Sequence, residues 1–286
     1  MDWSCWQKLV ELVRSLDPGP GSARFTYTDA DIVLTWLWAD ANKRAVSWAC
    51  ERDSWPIFVR ATARPSSSRM TRRLRTASVR ALIDRIESAL RGEPTGRWAY
   101  AVDGMVVRVA RHSGDRNATF GAFGDRGYKL HAICDSTGKI SVWRVTPLHC
   151  AETKMARRLV RAACVEGYLL ADAGYDSTKL HATCVECDVQ LVAPRKASRR
   201  GGGVRRGGTP PSRRRSIDLT ECDRTGFGRA LQGARKVIER VFARLENRFG
   251  VTHPPPSVRG LRRVRQWIQA AIILDLALDK FKPQPA

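Results

Sequence analysis

Three acidic residues sit where the sequence could bring them together as ligands of a metal ion. The run Tyr168-Leu169-Leu170-Ala171-Asp172-Ala173-Gly174-Tyr175-Asp176 ends an apolar segment on a carboxylate, then a small residue and a glycine. It reads as a short buried strand that stops at an open sheet edge and passes into a helix. Gly174 is expected to permit the tight turn. Asp176 or Ser177 is expected to cap a helix beginning near Thr178. Asp172 then lies at the carboxyl end of a strand, where open α/β sheets place their chemistry; an Asx turn that merely stops the strand is the plainer reading. Asp103 lies near the middle of another strand, Tyr100-Ala101-Val102-Asp103-Gly104-Met105-Val106-Val107. Glu239 lies on a helix expected over 230–249, whose apolar stripe is Ile238, Val241, Phe242, Leu245 and Phe249. Helical geometry places Gln232, Arg235, Glu239 and Glu246 together beside that stripe. A surface pair between Arg235 and Glu239 accounts for the spacing, and so does a third metal ligand. Three carboxylates converging at a sheet edge are hard oxygen donors suited to magnesium or manganese.

The elements that must position these residues follow from periodicity. Strands are expected at Trp98 to Val109, Tyr128 to Cys134 and Ile140 to Thr146, with a polar loop over 111–127 and a turn at Asp135-Ser136-Thr137-Gly138. A helix from Ala151 to Val165 carries Glu152, Lys154, Arg157, Arg158 and Arg161 on its outer side. The strand ending at Asp172, a helix to about Glu186 and a strand at Val189 to Val192 complete a βββαβαβ order. That order is an α/β fold with a ribonuclease H-like mixed sheet and flanking helices. In it the middle of the first strand and the end of the fourth are neighbours, so Asp103 and Asp172 face each other.

Ahead of the sheet the chain reads as a small all-helical region over 1–92. Trp3, Trp6, Val10, Val13 and Leu16 have helical spacing, and Pro18-Gly19-Pro20-Gly21 ends that helix. Asp29 or Asp31 is expected to cap a second helix carrying Val33, Leu34, Trp36, Leu37 and Trp38, followed by a short one around Ala45 to Glu51. Pro65-Ser66-Ser67-Ser68 then caps a basic helix with Arg69, Arg72 and Arg73. The order suggests a helix-turn-helix unit whose last helix enters a major groove, with a solvated basic face as the simpler alternative. A packing helix over 78–90 and a boundary at Gly92-Glu93-Pro94-Thr95-Gly96 lead to a second region over 97–280.

Charge names the class of partner. Fifty Lys and Arg against 28 Asp and Glu leave a net charge of +22 over 286 residues, an excess that points to a polyanion. No apolar stretch approaches the roughly 20 residues that cross a bilayer, and the amino terminus lacks a signal-peptide core. The eight cysteines form no framework, as expected of thiols in a reducing cytoplasm. Double-stranded DNA is the expected partner, and the expected location is cytoplasmic, at the nucleoid. The segment 195–215 has eight Arg, one Lys and no acid, so it is expected to be a mobile insertion. Arg199, Arg200, Arg205 and Arg206 there would grip DNA; a solubilising loop is the alternative. Cys184-x-x-Cys187 has no second pair at zinc-ligand spacing despite nearby His181, and no nucleophile elbow is present. His131 and His149 read as structural or as lying beside DNA.

The segments Asp103-Gly104, Gly127-Tyr128-Lys129-Leu130-His131, Ala171 to Asp176 and Arg235-x-x-Ile238-Glu239-Arg240-x-Phe242 resemble the DDE transposases of bacterial insertion sequences, nearest to the branch of insertion sequences four and five. The likeness runs over 98–278. It implies Asp103, Asp172 and Glu239 as catalytic residues and ligands of magnesium or manganese, with two ions serving cleavage at element ends and strand transfer into target DNA. Lys129, Arg235 and Arg240 would contact DNA, and two ends held together imply at least a homodimer on the DNA. On the glutamate helix of that family Tyr and Lys flank the Arg and Glu; here Gln232 and Glu246 stand in those places. The alternatives are an inactive transposase relic that regulates by binding DNA and a structure-directed nuclease on the same fold.

Overall fold

A computed structural model describes residues 1–17, 19, 26–60, 63–92, 98–122, 124–163, 165–196 and 209–282. Pro18, Pro20 and Gly21 of the expected first break, and 93–96 of the expected boundary, lie outside those residues.

Five helices come first: α1 (Trp3–Leu16), α2 (Asp29–Ala41), α3 (Val46–Ala49), α4 (Ser67–Arg73) and α5 (Ala77–Arg91). Side-chain caps set the starts of α1, α2 and α4. Asp2 accepts from the Cys5 N–H, and Ser66 accepts from that of Arg69. The cap of α2 is Thr28 rather than Asp29 or Asp31: Thr28 and Asp31 form a reciprocal capping box, which satisfies two backbone donors that a lone aspartate cap would leave open.

The sheet follows. Its strands are β1 (Ala99–Arg108), β2 (Thr119–Phe120), β3 (Arg126–Asp135), β4 (Ile140–Pro147), β5 (Gly167–Leu170) and β6 (Val189–Val192). β3 pairs antiparallel with β1 and β4, and β5 pairs parallel with both β1 and β6. Apart from the two-residue β2, which the sequence reading leaves in a loop, this is the expected ribonuclease H-like order. α6 (Glu152–Ala162) and α7 (Thr178–Glu186) connect the later strands; α8 (Pro211–Ile217), α9 (Phe227–Phe249) and α10 (Leu261–Lys280) follow β6.

Alternation along β1 sends Ala101 and Val107 into one core and Tyr100 and Val102 into another. The first core is continuous: Trp6, Leu37 and Ile83 of the leading helices join Ile238 and Val241 of α9, Ile272 of α10 and one face of the sheet. The second lies under α6 and α7, around Leu159, Leu180 and Ile133. The ends of 195–215 are built into this frame, contrary to the expectation of a wholly mobile insertion. Ser216 is buried and bonds both the N–H and the carbonyl of Ala193, and Arg213 pairs with Asp176. Arg199, Arg200, Arg205 and Arg206 lie outside the described residues.

Candidate active site

β5 pairs with β1 only as far as Leu170 opposite Ala101. Two residues further along each strand stand Asp172 and Asp103, at the point where β1 loses its neighbour. Asp172 is exposed and caps a single 3-10 turn (Ala173–Tyr175), its Oδ1 accepting from the Gly174 N–H at 2.8 Å. The Asx-type turn is therefore real, and it leaves the other carboxylate oxygen free for other work. Gly174 has no left-handed backbone. A side chain there would instead begin 3.0 Å from Asp172 Oδ1. Ser177, not Asp176, caps α7.

Asp103 is half-buried. Burial pushes its carboxyl up to about 6, with further upward pressure from the charges of Asp172 and Glu152; the Gly104 N–H, bonded at 2.7 Å, and the charge of Arg235 act the other way. Here two strands bring two carboxylates close enough to repel.

Glu239, expected as the third ligand, is engaged in an ion pair. It lies on the exposed side of α9, where Arg235 bonds it at 2.8 Å one turn away. Among the described residues no three His, Cys, Asp or Glu side chains stand close enough to hold an ion between them. Gln232 and Glu246, the two departures on this helix, both serve the fold. Gln232 donates to the Thr220 carbonyl at 3.3 Å, and Glu246 accepts from the Thr252 N–H at 2.7 Å beyond the end of α9.

Periodicity alone misses what lies on the other side of β1. Glu152, at the first position of α6, is bonded by Lys129 Nζ of β3 at 2.5 Å. Lys129, expected to contact DNA, is thus already paired. Both side chains gather over Gly104: a Cβ there would meet Lys129 Cδ at 3.0 Å, Glu152 Oε1 at 3.2 Å and His131 Nδ1 at 3.5 Å. His131 is buried, bonded through Nε2 to Thr146, and its ring is pushed down to about 4 by burial and then by the Lys129 charge. The Tyr175 hydroxyl, also buried and without a hydrogen-bond partner, is pushed upward by burial and by the charges of Glu152, Asp103 and Asp172. The missing signal was the glycine after Asp103, which opens the strand to a neighbour from behind.

The cations expected to meet DNA differ in how they are held. Arg240 and Arg72 are exposed, and Arg69 lies over the Tyr27 ring. Arg73 is buried, bonded to Asp29 and to the Tyr27 carbonyl, and so serves the fold rather than a groove. A cleft of 450 Å³ between α4 and α10 is rimmed by Arg44, Arg75, Arg262 and Arg263. Cys184 is buried and its thiol is pushed up to about 12 by burial, so it packs as a neutral thiol. His181 turns to Ser212 and Asp176.

Sequence comparison matches residues 94–275 to the transposase DDE domain family. No curated protein matches the chain. Among solved structures, the piggyBac transposase synaptic complex with hairpin DNA superposes with a TM-score of 0.51 at 12% identity, covering 96% of this chain and 75% of that one. At such identity the superposition speaks for the fold.

Proposed function

The chain belongs to the family of transposase DDE domains, and from that premise we propose that it cuts DNA at the ends of a mobile element and joins them to a target. The observation that carries this reading is the placement of Asp103 in β1 beside Asp172, which stands two residues beyond the end of the parallel neighbour β5. The donor chemistry fits a hard divalent cation such as magnesium or manganese, probed as one ion or two: carboxylate oxygens, one of them partly desolvated, beside a buried tyrosine hydroxyl with no partner. Asp103, Asp172 and Glu239 would hold it, Glu239 after release from Arg235. When bound, such ions activate a water or 3′-hydroxyl and stabilise the leaving oxygen of an in-line phosphoryl displacement.

The chain's own residues do the rest. Gly104 N–H orients the Asp103 carboxylate, and Gly174 N–H orients that of Asp172. Arg235, freed from Glu239, turns its guanidinium to a phosphate, which it can grip with two donors. Arg69, Arg72 and Arg240, together with the cleft arginines, supply the sequence-independent attraction that draws in the duplex. We place the chain in the insertion sequence four and five branch, acting as at least a homodimer on two element ends.

The test is cleavage of a labelled duplex carrying the DNA that flanks the gene, with magnesium or manganese, comparing the wild type with Asp172→Asn. Metal-dependent cutting by the wild type alone supports the reading. Binding by both proteins with cutting by neither supports the second reading, a relic that regulates by occupying the ends. The Arg235–Glu239 pair and the structural use of Gln232 and Glu246 favour that second reading.

A further inference from the structure

The reading above leaves Glu152, Lys129 and the Tyr175 hydroxyl without a task. Glu152 opens α6, on the face of the sheet opposite α9, yet its charge acts on Asp103. Two features make that possible. β5 ends at Leu170, so the β1 edge is uncovered at Asp103 and Gly104. Gly104 has no side chain, so Glu152 Oε1 comes within 3.2 Å of the place a Cβ would occupy. Tyr175 is only 1% exposed, its hydroxyl has no partner, and the carboxylates acting on it are Glu152, Asp103 and Asp172. A buried hydroxyl without a partner is the kind of group that a bound ligand or ion satisfies. The Lys129 ammonium is engaged by Glu152 at 2.5 Å.

We propose that Glu152 is a fourth carboxylate of the catalytic site, reaching it from behind the sheet past Gly104, and that Lys129 is its counter-ion until a divalent cation enters. The proposal rests on the metal-dependent reading above. It gives Lys129 a different task from the phosphate contact expected from the sequence: the lysine holds the carboxylate in place while no cation is bound, and swings away when the cation takes Glu152. No bond is made or broken in the exchange.

Manganese binding to the full chain, followed by electron paramagnetic resonance without DNA turnover, tests it. Glu152→Gln is expected to weaken binding about tenfold, the size of effect typical of a carboxylate that orients or ligates an ion. Lys129→Met, which removes the competing cation, is expected to tighten it. Asp103→Asn, weakening binding in every case, calibrates the site. Wild-type affinity in Glu152→Gln alongside weakened binding in Asp103→Asn would overturn the proposal and leave the metal reading standing. Equal binding by all the variants, or none by the wild type, would overturn both. If Glu152→Gln does not fold, tightening by Lys129→Met still supports the proposal, and unchanged binding in that variant overturns it.

Discussion

Arg235 bonds Glu239 at 2.8 Å, and the charge of the same guanidinium lowers the Asp103 carboxyl. One arginine on α9 thus stands between the acid of the helix and the acid of the central strand. Replacing it with methionine removes a stabilising cation from the charged form of Asp103. The Asp103 carboxyl, already at about 6, is therefore expected to titrate higher still in Arg235→Met. Carbon-13 NMR of the side-chain carboxyls checks this, and an unchanged midpoint would separate the two residues electrostatically.

Asp103 lowers the stability of the cation-free protein. Its folded-state carboxyl lies near 6 against an ordinary 3.8, so the folded chain holds that proton more tightly. The sign follows: no penalty below pH 3.8, a penalty that grows as pH rises through about 6, and the full cost above. Asp103→Asn should stabilise the cation-free chain at pH 7.5 by up to about 3 kcal/mol, a Tm increase of several degrees at about 2–4 °C per kcal/mol for a chain of this size. Equal melting temperatures at pH 3.5 and unequal ones at pH 7.5 are the expected pattern.

How much of this was readable beforehand depends on whether a feature is local. The strands carrying Asp103 and Asp172 show in alternation and in the apolar run 168–171, because burial on known faces leaves a period. The alternative i,i+4 partner for Glu239 was visible for the same reason. Glu152 was not: helical periodicity places it outside α6, and its role comes from Lys129 on another strand and from the absent side chain at Gly104. α8 was hidden by composition. Its arginine run reads as solvated, while its order comes from Asp176 and Ala193, which are distant in sequence.

Asp176 is depressed well below the ordinary carboxylate range although burial acts to raise it, because His181, Arg213 and the Lys196 N–H all bond it. Stability from this group is present above the unfolded value of 3.8 and is lost as pH falls below it toward the depressed folded value. Asp176→Asn is expected to cost about 3 kcal/mol at neutral pH, the usual penalty for breaking a buried pair. Denaturant unfolding of the two proteins at pH 7 measures it.

Glu246 illustrates a departure that cannot simply be reversed. Lysine at this position would match the insertion-sequence pattern that the sequence resembles but cannot accept the Thr252 N–H. Glu246→Lys is therefore expected to lose about 1 kcal/mol of stability, whatever it does to DNA cleavage. A melting curve read beside the cleavage assay separates the two effects.

The bonds that Asp176 makes to Lys196 and to Arg213 also bear on how this chain tolerates change in length. Both ends of the intervening segment are fastened to one side chain, so the frame does not register how much chain runs between them. A change in length between Lys196 and Thr209 is therefore expected to leave both attachments to Asp176 in place. The sheet that positions Asp103 and Asp172 does not depend on the length of that stretch.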